Sequence, residues 1–149
     1  MKLLRVLSED RAFERVGGNS PIKVDVRLVA ATNRNLEKLV QEGKFRDDLL
    51  FRLSVVPITL PPLRQRKEDI PLLVNAFIKT FAEENSKPVA GITPEAMQAI
   101  LAYDWPGNVR KLRSAIEHGV VMTNGPKIGL RDLPAEVREG GTEIGRAHV

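Results

Sequence analysis

The spacing of apolar residues changes near residue 66. Before that point, Phe13–Val16 and residues 23–31 indicate a hairpin, and its second arm passes from alternating to continuously apolar residues at Leu28–Ala31. Such a run predicts a strand that is buried on both faces. Residues 54–60 predict a further strand, in which Pro57 marks an edge or an end. Lys2–Glu9 has the spacing of an amphipathic helix. The first part is therefore predicted to be α/β.

Two short helices are predicted between these strands. Asn35 is a suitable N-cap for a helix that runs to Glu42, and Gly43 is a suitable stop signal. A second helix is predicted over Arg46–Leu53.

Beyond residue 66 the apolar residues recur at helical spacing only. They predict helices over Asp69–Asn85, from Thr93 to about Tyr103, and from Asn108 to about Thr123, with Thr93 and Asn108 as N-caps. We therefore expect an α/β part over residues 1–66, an all-helical part over 67–134, and a linker or disordered tail over 135–149.

Composition removes several classes of function. The 149-residue chain has no cysteine, which excludes disulfides, zinc–thiolate sites and thiol nucleophiles. It has no long apolar run and no signal-peptide pattern, so we expect a cytoplasmic protein without membrane contact. Its two histidines, His118 and His148, lack the spacing of metal ligands, and we expect no metal site.

The charge is uneven along the chain. Residues 1–66 contain 13 Lys/Arg and 8 Asp/Glu, whereas residues 67–149 contain 10 and 11. The basic first part is compatible with a phosphate-bearing or acidic partner, and equally with a mixed, solvated surface.

Asn33 follows the predicted buried strand directly. Ligands of open α/β sheets bind beyond the carboxyl ends of strands, and a neutral amide there can orient a water molecule against a phosphate. The alternative is that Asn33 caps the following helix.

Arg46 and Arg52 lie six residues apart on the second predicted short helix. That spacing is close to two helical turns, so both side chains are expected to project from a similar face. Guanidinium groups stabilise phosphoryl charge through bidentate hydrogen bonds. The alternative is that both arginines pair with surface carboxylates such as Asp47 and Asp48.

Arg110 is predicted in the first turn of a helix that begins after the turn Trp105–Gly107. The helix dipole favours anions at that end, so a cation there indicates a role towards a ligand, although a surface ion pair is the alternative. Trp105 itself is predicted to lie in the core.

These motifs together resemble one family. The segments Phe13–Gly18 and Val24–Arg34 resemble the hairpin and sensor I strand of the AAA+ ATPase domain of bacterial sigma-54-dependent transcription activators. Lys44–Leu53 resembles the arginine-finger helix of these proteins, Leu60–Leu73 their link into the helical lid, and Trp105–Arg110 their sensor II motif. Lys111 stands where the family usually has glutamate.

The resemblance implies a nucleotide site between subunits of a ring, usually a hexamer. Asn33 would be sensor I, Arg46 and Arg52 would act on the neighbouring subunit's ATP, and Arg110 would be sensor II. ATP and Mg²⁺ would be bound by the intact domain, which would remodel the sigma-54 RNA polymerase and reach DNA through another domain.

The sequence contains no glycine-rich phosphate loop (Walker A), no apolar strand ending in Asp-Glu (Walker B) and no Gly-Ala-Phe-Thr-Gly-Ala motif. We therefore expect a portion of a longer ATPase domain that neither binds ATP tightly nor hydrolyses it alone. Two alternatives remain open. One is a helix-turn-helix-like DNA-binding module formed by the helices at 93–103 and 108–123, and the other is a non-catalytic interaction domain.

Overall fold

The computed structural model describes residues 2–9 and 11–140. The chain divides into two compact units, Met1–Thr59 and Leu60–Val149. Residues 60–66, which the sequence assigned to the first part, belong to the second unit because Leu63 is buried in its hydrophobic core.

The first unit contains short elements only. These are the helices α1 (Lys2–Leu7), α2 (Leu36–Gln41) and α3 (Asp47–Leu53) and the strands β1 (Ala12–Glu14) and β2 (Pro21–Lys23). The two strands form an antiparallel hairpin, in which Phe13 lies opposite Ile22. A hairpin was predicted here, but its second strand is Pro21–Lys23 and does not extend over residues 24–31. Helix α1 packs against β1, and α2 packs against α3.

Two strand predictions for this unit are wrong for the described chain, the strand buried on both faces at Leu28–Ala31 and the strand over residues 54–60. Residues 24–31 and 54–60 form no regular strand. Apart from the half-buried Val24, their apolar side chains are exposed, Val29 by 83% and Ile58 by 81%. A strand is buried on both faces only when neighbouring strands and helices cover it. The described part of the unit supplies a two-stranded hairpin and no such cover.

The second unit is helical, as predicted. It contains α4 (Ile70–Glu84), α5 (Pro94–Ala102), α6 (Asn108–Met122) and α7 (Ala135–Glu139), with 3₁₀ turns at Leu63–Gln65, Lys67–Asp69 and Leu130–Asp132. Helix α4 packs on α6 and α5 packs on α7. A two-residue parallel pair, β3 (Gly91–Ile92) and β4 (Lys127–Ile128), was not predicted.

Local chemistry explains the helix boundaries in this unit. The hydroxyl of Thr93, the predicted N-cap, accepts a hydrogen bond from the backbone N–H of Ala96, and Pro94 occupies the first helical position. Helix α6 passes β4 closely at Gly119, where the methyl group of an alanine would lie 2.8 Å from the side chain of Ile128. Any larger residue at this position would require the buried Ile128 side chain to move.

The C-terminal segment differs from its prediction. Residues 135–139, expected to begin a linker, form α7, because the Val137 side chain is fully buried in the core. The rest of the predicted tail, residues 141–149, lies outside the described residues. In the ranges that the structure describes, no helix has the length and apolar character needed to cross a bilayer.

Candidate functional site

Arg46 stands at the N-cap position of α3 and not within the helix. Its backbone is extended (φ −79°, ψ 134°). The guanidinium donates two hydrogen bonds to Asp48, Nε to Oδ1 at 2.9 Å and Nη2 to Oδ2 at 2.6 Å. The hydrogen bond to Asp48 raises the pKa of Arg46, and the same bond lowers the pKa of the Asp48 carboxyl. The carboxylate therefore holds the guanidinium in one orientation.

Arg52 lies in the last turn of α3 and is exposed. Within residues 2–9 and 11–140 its guanidinium makes no hydrogen bond or ion pair. The prediction that Arg46 and Arg52 both lie within a single helix is wrong, because Arg46 precedes α3 in extended conformation. The carboxylate alternative holds for Arg46, which pairs with Asp48, and does not hold for Arg52.

A hollow of about 540 Å³ lies beside α3 in the first unit. It is lined by Glu37, Asp47, Leu50, Phe51, Ser54 and Val55. Its charged lining residues are both acidic, which disfavours a phosphate. The hollow is therefore not a nucleotide site on its own.

Asn33 lies in an exposed bend between Thr32, whose hydroxyl accepts a hydrogen bond from Arg34 N at 3.1 Å, and α2. Asn35 is the N-cap of α2, as predicted, and its side chain accepts from Lys38 N at 3.0 Å. The capping alternative for Asn33 is thus excluded, because Asn35 fills that position. The Asn33 amide makes no hydrogen bond among the described residues.

Arg110 is the third residue of α6 and is exposed. On the opposite side of the helix, Leu112, Ile116 and Val120 are fully buried. No hydrogen bond or ion pair of the Arg110 guanidinium is found in the part of the chain that the structure describes.

The turn before α6 is anchored by its own side chains. Trp105 is fully buried, as predicted, and its indole N–H donates to the carbonyl of Ile100 at 2.7 Å. Its ring meets that of Tyr103 edge to face, with centroids 4.9 Å apart. Asn108, predicted as the N-cap of α6, is instead its first residue, and its side chain accepts from Leu63 N at 2.8 Å. No local pattern signals this bond, because it joins residues 45 positions apart.

The other cations of α6 are engaged within the second unit. Lys111 Nζ lies 2.5 Å from Glu136 Oε1 on α7. A hydrogen bond from Lys111 lowers the pKa of the Glu136 carboxyl, and the same bond raises the pKa of Lys111. Arg113 stacks over the ring of Phe81 at 4.8 Å. A groove-reading helix needs such cations directed outward, so these contacts weigh against the helix-turn-helix alternative.

No group of three His, Cys, Asp or Glu residues in the described ranges has a geometry that could hold a metal ion. His118 is exposed on α6, and His148 lies outside those ranges.

Two family models match the chain and together cover both units. A sigma-54 interaction domain matches residues 1–59, and an AAA+ ATPase lid domain matches residues 64–148. The break between the two matches coincides with the structural division after Thr59.

Individual relatives agree with these families. Regulatory protein AtoC of Escherichia coli K12 is 52% identical over 138 residues, which are 93% of this chain and 30% of that protein. Nitrogen fixation protein AnfA of Azotobacter vinelandii is 47% identical over 147 residues, 97% of this chain and 27% of that protein. This chain thus spans about a third of the length of the curated relatives that it matches.

A solved structure shows the same fold. NtrX from Brucella abortus, crystallised in complex with ATP, superposes with a TM-score of 0.82 at 48% identity, over 91% of this chain and 31% of that one. The family matches, the relatives and this superposition lead to one conclusion: the chain belongs to the AAA+ ATPases of sigma-54-dependent transcription activators and corresponds to the C-terminal portion of their ATPase domain.

Proposed function

We propose that this chain supplies the sensor, arginine-finger and lid elements of an ATP-hydrolysing activator that remodels the sigma-54 RNA polymerase at promoters. The observation that carries the proposal is the Arg52 guanidinium. It is exposed on α3 and has no partner among the described residues. A cation displayed in this way is suited to an anion supplied by another chain.

Arg46 and Arg52 are proposed to act together as trans arginine fingers. Arg46 is oriented by Asp48, whereas Arg52 is available for direct contact with phosphate oxygens. A phosphoryl group carries more negative charge than a carboxylate, and it can draw the Arg46 guanidinium from Asp48 as charge develops during transfer. The pair would then stabilise the transition state more than bound ATP.

Asn33 and Arg110 are proposed as sensor I and sensor II. The Asn33 amide is exposed and not used as a helix cap, so it is available to orient a water molecule near the terminal phosphate. Arg110 projects from the side of α6 that does not pack into the core, so a movement of the lid would carry its guanidinium with it.

ATP supplies the phosphoryl group, and Mg²⁺ would neutralise part of its charge. The acidic residues within the described ranges form no cluster that fits Mg²⁺, so its ligands are not expected from them. We therefore expect this chain alone to bind ATP weakly and to hydrolyse none. The ring, usually a hexamer, the polymerase and promoter DNA are partners proposed for the longer protein in the cytoplasm.

The test uses a chimaera in which this chain replaces the matching third of a full-length relative chosen because it hydrolyses ATP. Arg46→Ala and Arg52→Ala are each expected to lower ATP turnover by about 10³-fold or more, the usual effect of removing a trans arginine finger. ATP binding should remain within a few-fold, because these residues contact charge that develops in the transition state. Arg27→Ala, an exposed arginine in the same unit, is the matched control.

Mixed rings decide whether the arginines act in trans. A finger-deficient subunit combined with a subunit that lacks its phosphate loop should recover part of the turnover, since some interfaces then contain both intact parts. Absence of recovery in rings shown to be mixed would contradict the trans assignment. A chimaera without turnover, prepared beside an active relative, would contradict the proposed function as a whole.

A further inference from the structure

One hydrogen bond joins the start of the second unit to the turn that carries Arg110. The side-chain oxygen of Asn108 accepts from the backbone N–H of Leu63 at 2.8 Å. Leu63 begins the 3₁₀ turn Leu63–Gln65 and is only 3% exposed. A buried N–H that loses its acceptor is costly, so this bond fixes where the chain enters the unit.

The backbone at Asn108 is specialised for this bond. Its φ is +51°, and that of Trp105, three residues earlier, is +50°. Left-handed φ values are rare outside glycine, and asparagine is among the residues that tolerate them best. Helix α6 begins without a side-chain cap. The Asn108 side chain, which could have capped α6, instead accepts the hydrogen bond from Leu63.

The turn is consequently held at both ends. The Trp105 indole is bonded to the carbonyl of Ile100, and the Asn108 amide is bonded to Leu63. Arg110 follows two residues after Asn108 in the same first turn of α6. If the backbone moves at Leu63, the bonded Asn108 side chain will therefore move the first turn of α6, and with it the backbone of Arg110.

We propose that Asn108 is a positioning residue for Arg110, and that it couples the segment at Leu63 to the position of this arginine during the nucleotide cycle. The proposal rests on the sensor II role proposed above for Arg110. In this role Asn108 acts through the first turn of α6, which carries Arg110.

The bond itself is tested in the 149-residue chain by hydrogen exchange at the Leu63 amide. Asn108→Gly tolerates the left-handed backbone and removes the acceptor, whereas Asn108→Asp retains an acceptor oxygen. We expect the Leu63 amide to exchange about ten-fold faster in Asn108→Gly, as the loss of one hydrogen bond implies, and to remain protected in Asn108→Asp. Unchanged exchange in Asn108→Gly would overturn the proposal.

The coupling to Arg110 is tested in the chimaera by a double-mutant cycle. Asn108→Gly should lower turnover at limiting ATP by about five-fold, the order expected for one lost hydrogen bond, and Asn108→Asp should restore it. Added to Arg110→Ala, Asn108→Gly should have no further effect, because the residue that it positions is gone. Asn85→Gly, which removes an asparagine bonded to its own helix at Phe81, is the control for a purely structural loss.

The outcomes separate the two proposals. If Asn108→Gly and Arg110→Ala are each harmful and their effects add, Asn108 stabilises the lid without positioning Arg110, and the inference is wrong while sensor II stands. If Arg110→Ala leaves ATP binding and turnover unchanged, the sensor II role is wrong. The inference about Asn108 is then wrong as well, even if the Leu63 amide exchanges faster in Asn108→Gly.

Discussion

The two units differ in how much of their own apolar surface they bury. In the first unit, Ala12 is the one buried residue in the ranges that the structure describes, and large side chains such as Phe51 and Val56 are exposed. The second unit has a continuous core that extends in sequence from Leu63 to Val137. The second unit thus has a packed hydrophobic core of its own, whereas the first unit leaves the large apolar side chains among its described residues exposed or half-buried.

Because of this difference, the candidate site residues of the two units are held in place by different contacts. The lid unit holds Arg110 on a helix with a complete packed face, so its geometry depends on contacts within the unit. The first unit presents Asn33, Arg46 and Arg52 on short elements next to uncovered apolar residues, which are typical of surfaces that contact other protein. We therefore expect the position of the finger arginines to depend on neighbouring protein and that of Arg110 to depend on its own core.

The largest expected difference between the units is the cost of replacing one aromatic side chain by alanine in each. Trp105→Ala should destabilise the second unit by about 3–5 kcal/mol, the usual cost of removing a large buried aromatic side chain, and it also leaves the Ile100 carbonyl unbonded. Phe51→Ala, in the first unit, should change stability by less than about 0.5 kcal/mol, because its side chain is exposed.

Urea unfolding followed by circular dichroism at helical wavelengths measures both variants. Fluorescence does not serve, because Trp105 is the sole tryptophan. A loss for Phe51→Ala as large as that for Trp105→Ala would show that the first unit has a core of its own.

The two units should also differ in the rate at which their backbone amides exchange with solvent. Amides in the middle of α4 and α6 should exchange about 100-fold more slowly than those of the hairpin β1–β2 and of α3, because local opening is easiest where few apolar contacts must be lost. Residue-resolved exchange of the intact 149-residue chain measures this directly. Stronger protection in residues 11–59 than in the lid helices would reverse our interpretation.

The local features of both units were predictable from sequence, and the long-range features were not. Residue type and position predict Asn35 and Thr93 as caps, and each side chain accepts a hydrogen bond from the backbone N–H three residues later. The burial of residues 24–31 was misjudged because it depends on strands that the described chain does not supply.

Non-local contacts explain the remaining differences. The β3–β4 pair, the Asn108–Leu63 bond and the docking of α7 through Val137 depend on residues that are distant in sequence. Among the candidate site residues, Arg46, Arg52, Asn33 and Arg110 were selected by motif, whereas the Asp48 partner of Arg46 was foreseen only as an alternative. Their proposed roles towards nucleotide await the experiments above.

The smallest expected effect concerns the ion pair between α6 and α7. Lys111 lowers the pKa of Glu136 below its ordinary value of 4.5, so the pair stabilises the folded lid above that pH. The contribution is lost as the pH falls from there through the lowered pKa. Lys111→Met should return the pKa of Glu136 towards its ordinary value, and Lys79→Met, on α4, should not. Carboxyl NMR titration measures the pKa of Glu136. An unchanged pKa of Glu136 in Lys111→Met would show that the pair is not formed in solution.

The close contact between Gly119 of α6 and Ile128 of β4 limits which residues can replace Gly119. Glycine in a helix interior is about 0.5–1 kcal/mol less favourable than alanine, so helix propensity alone would favour replacement there. The added methyl group would meet Ile128 at 2.8 Å. A library of variants should therefore show that alanine is rejected at position 119 and accepted at the neighbouring exposed positions 117 and 118. A smaller residue at 128 would be the compensating change that makes alanine accessible.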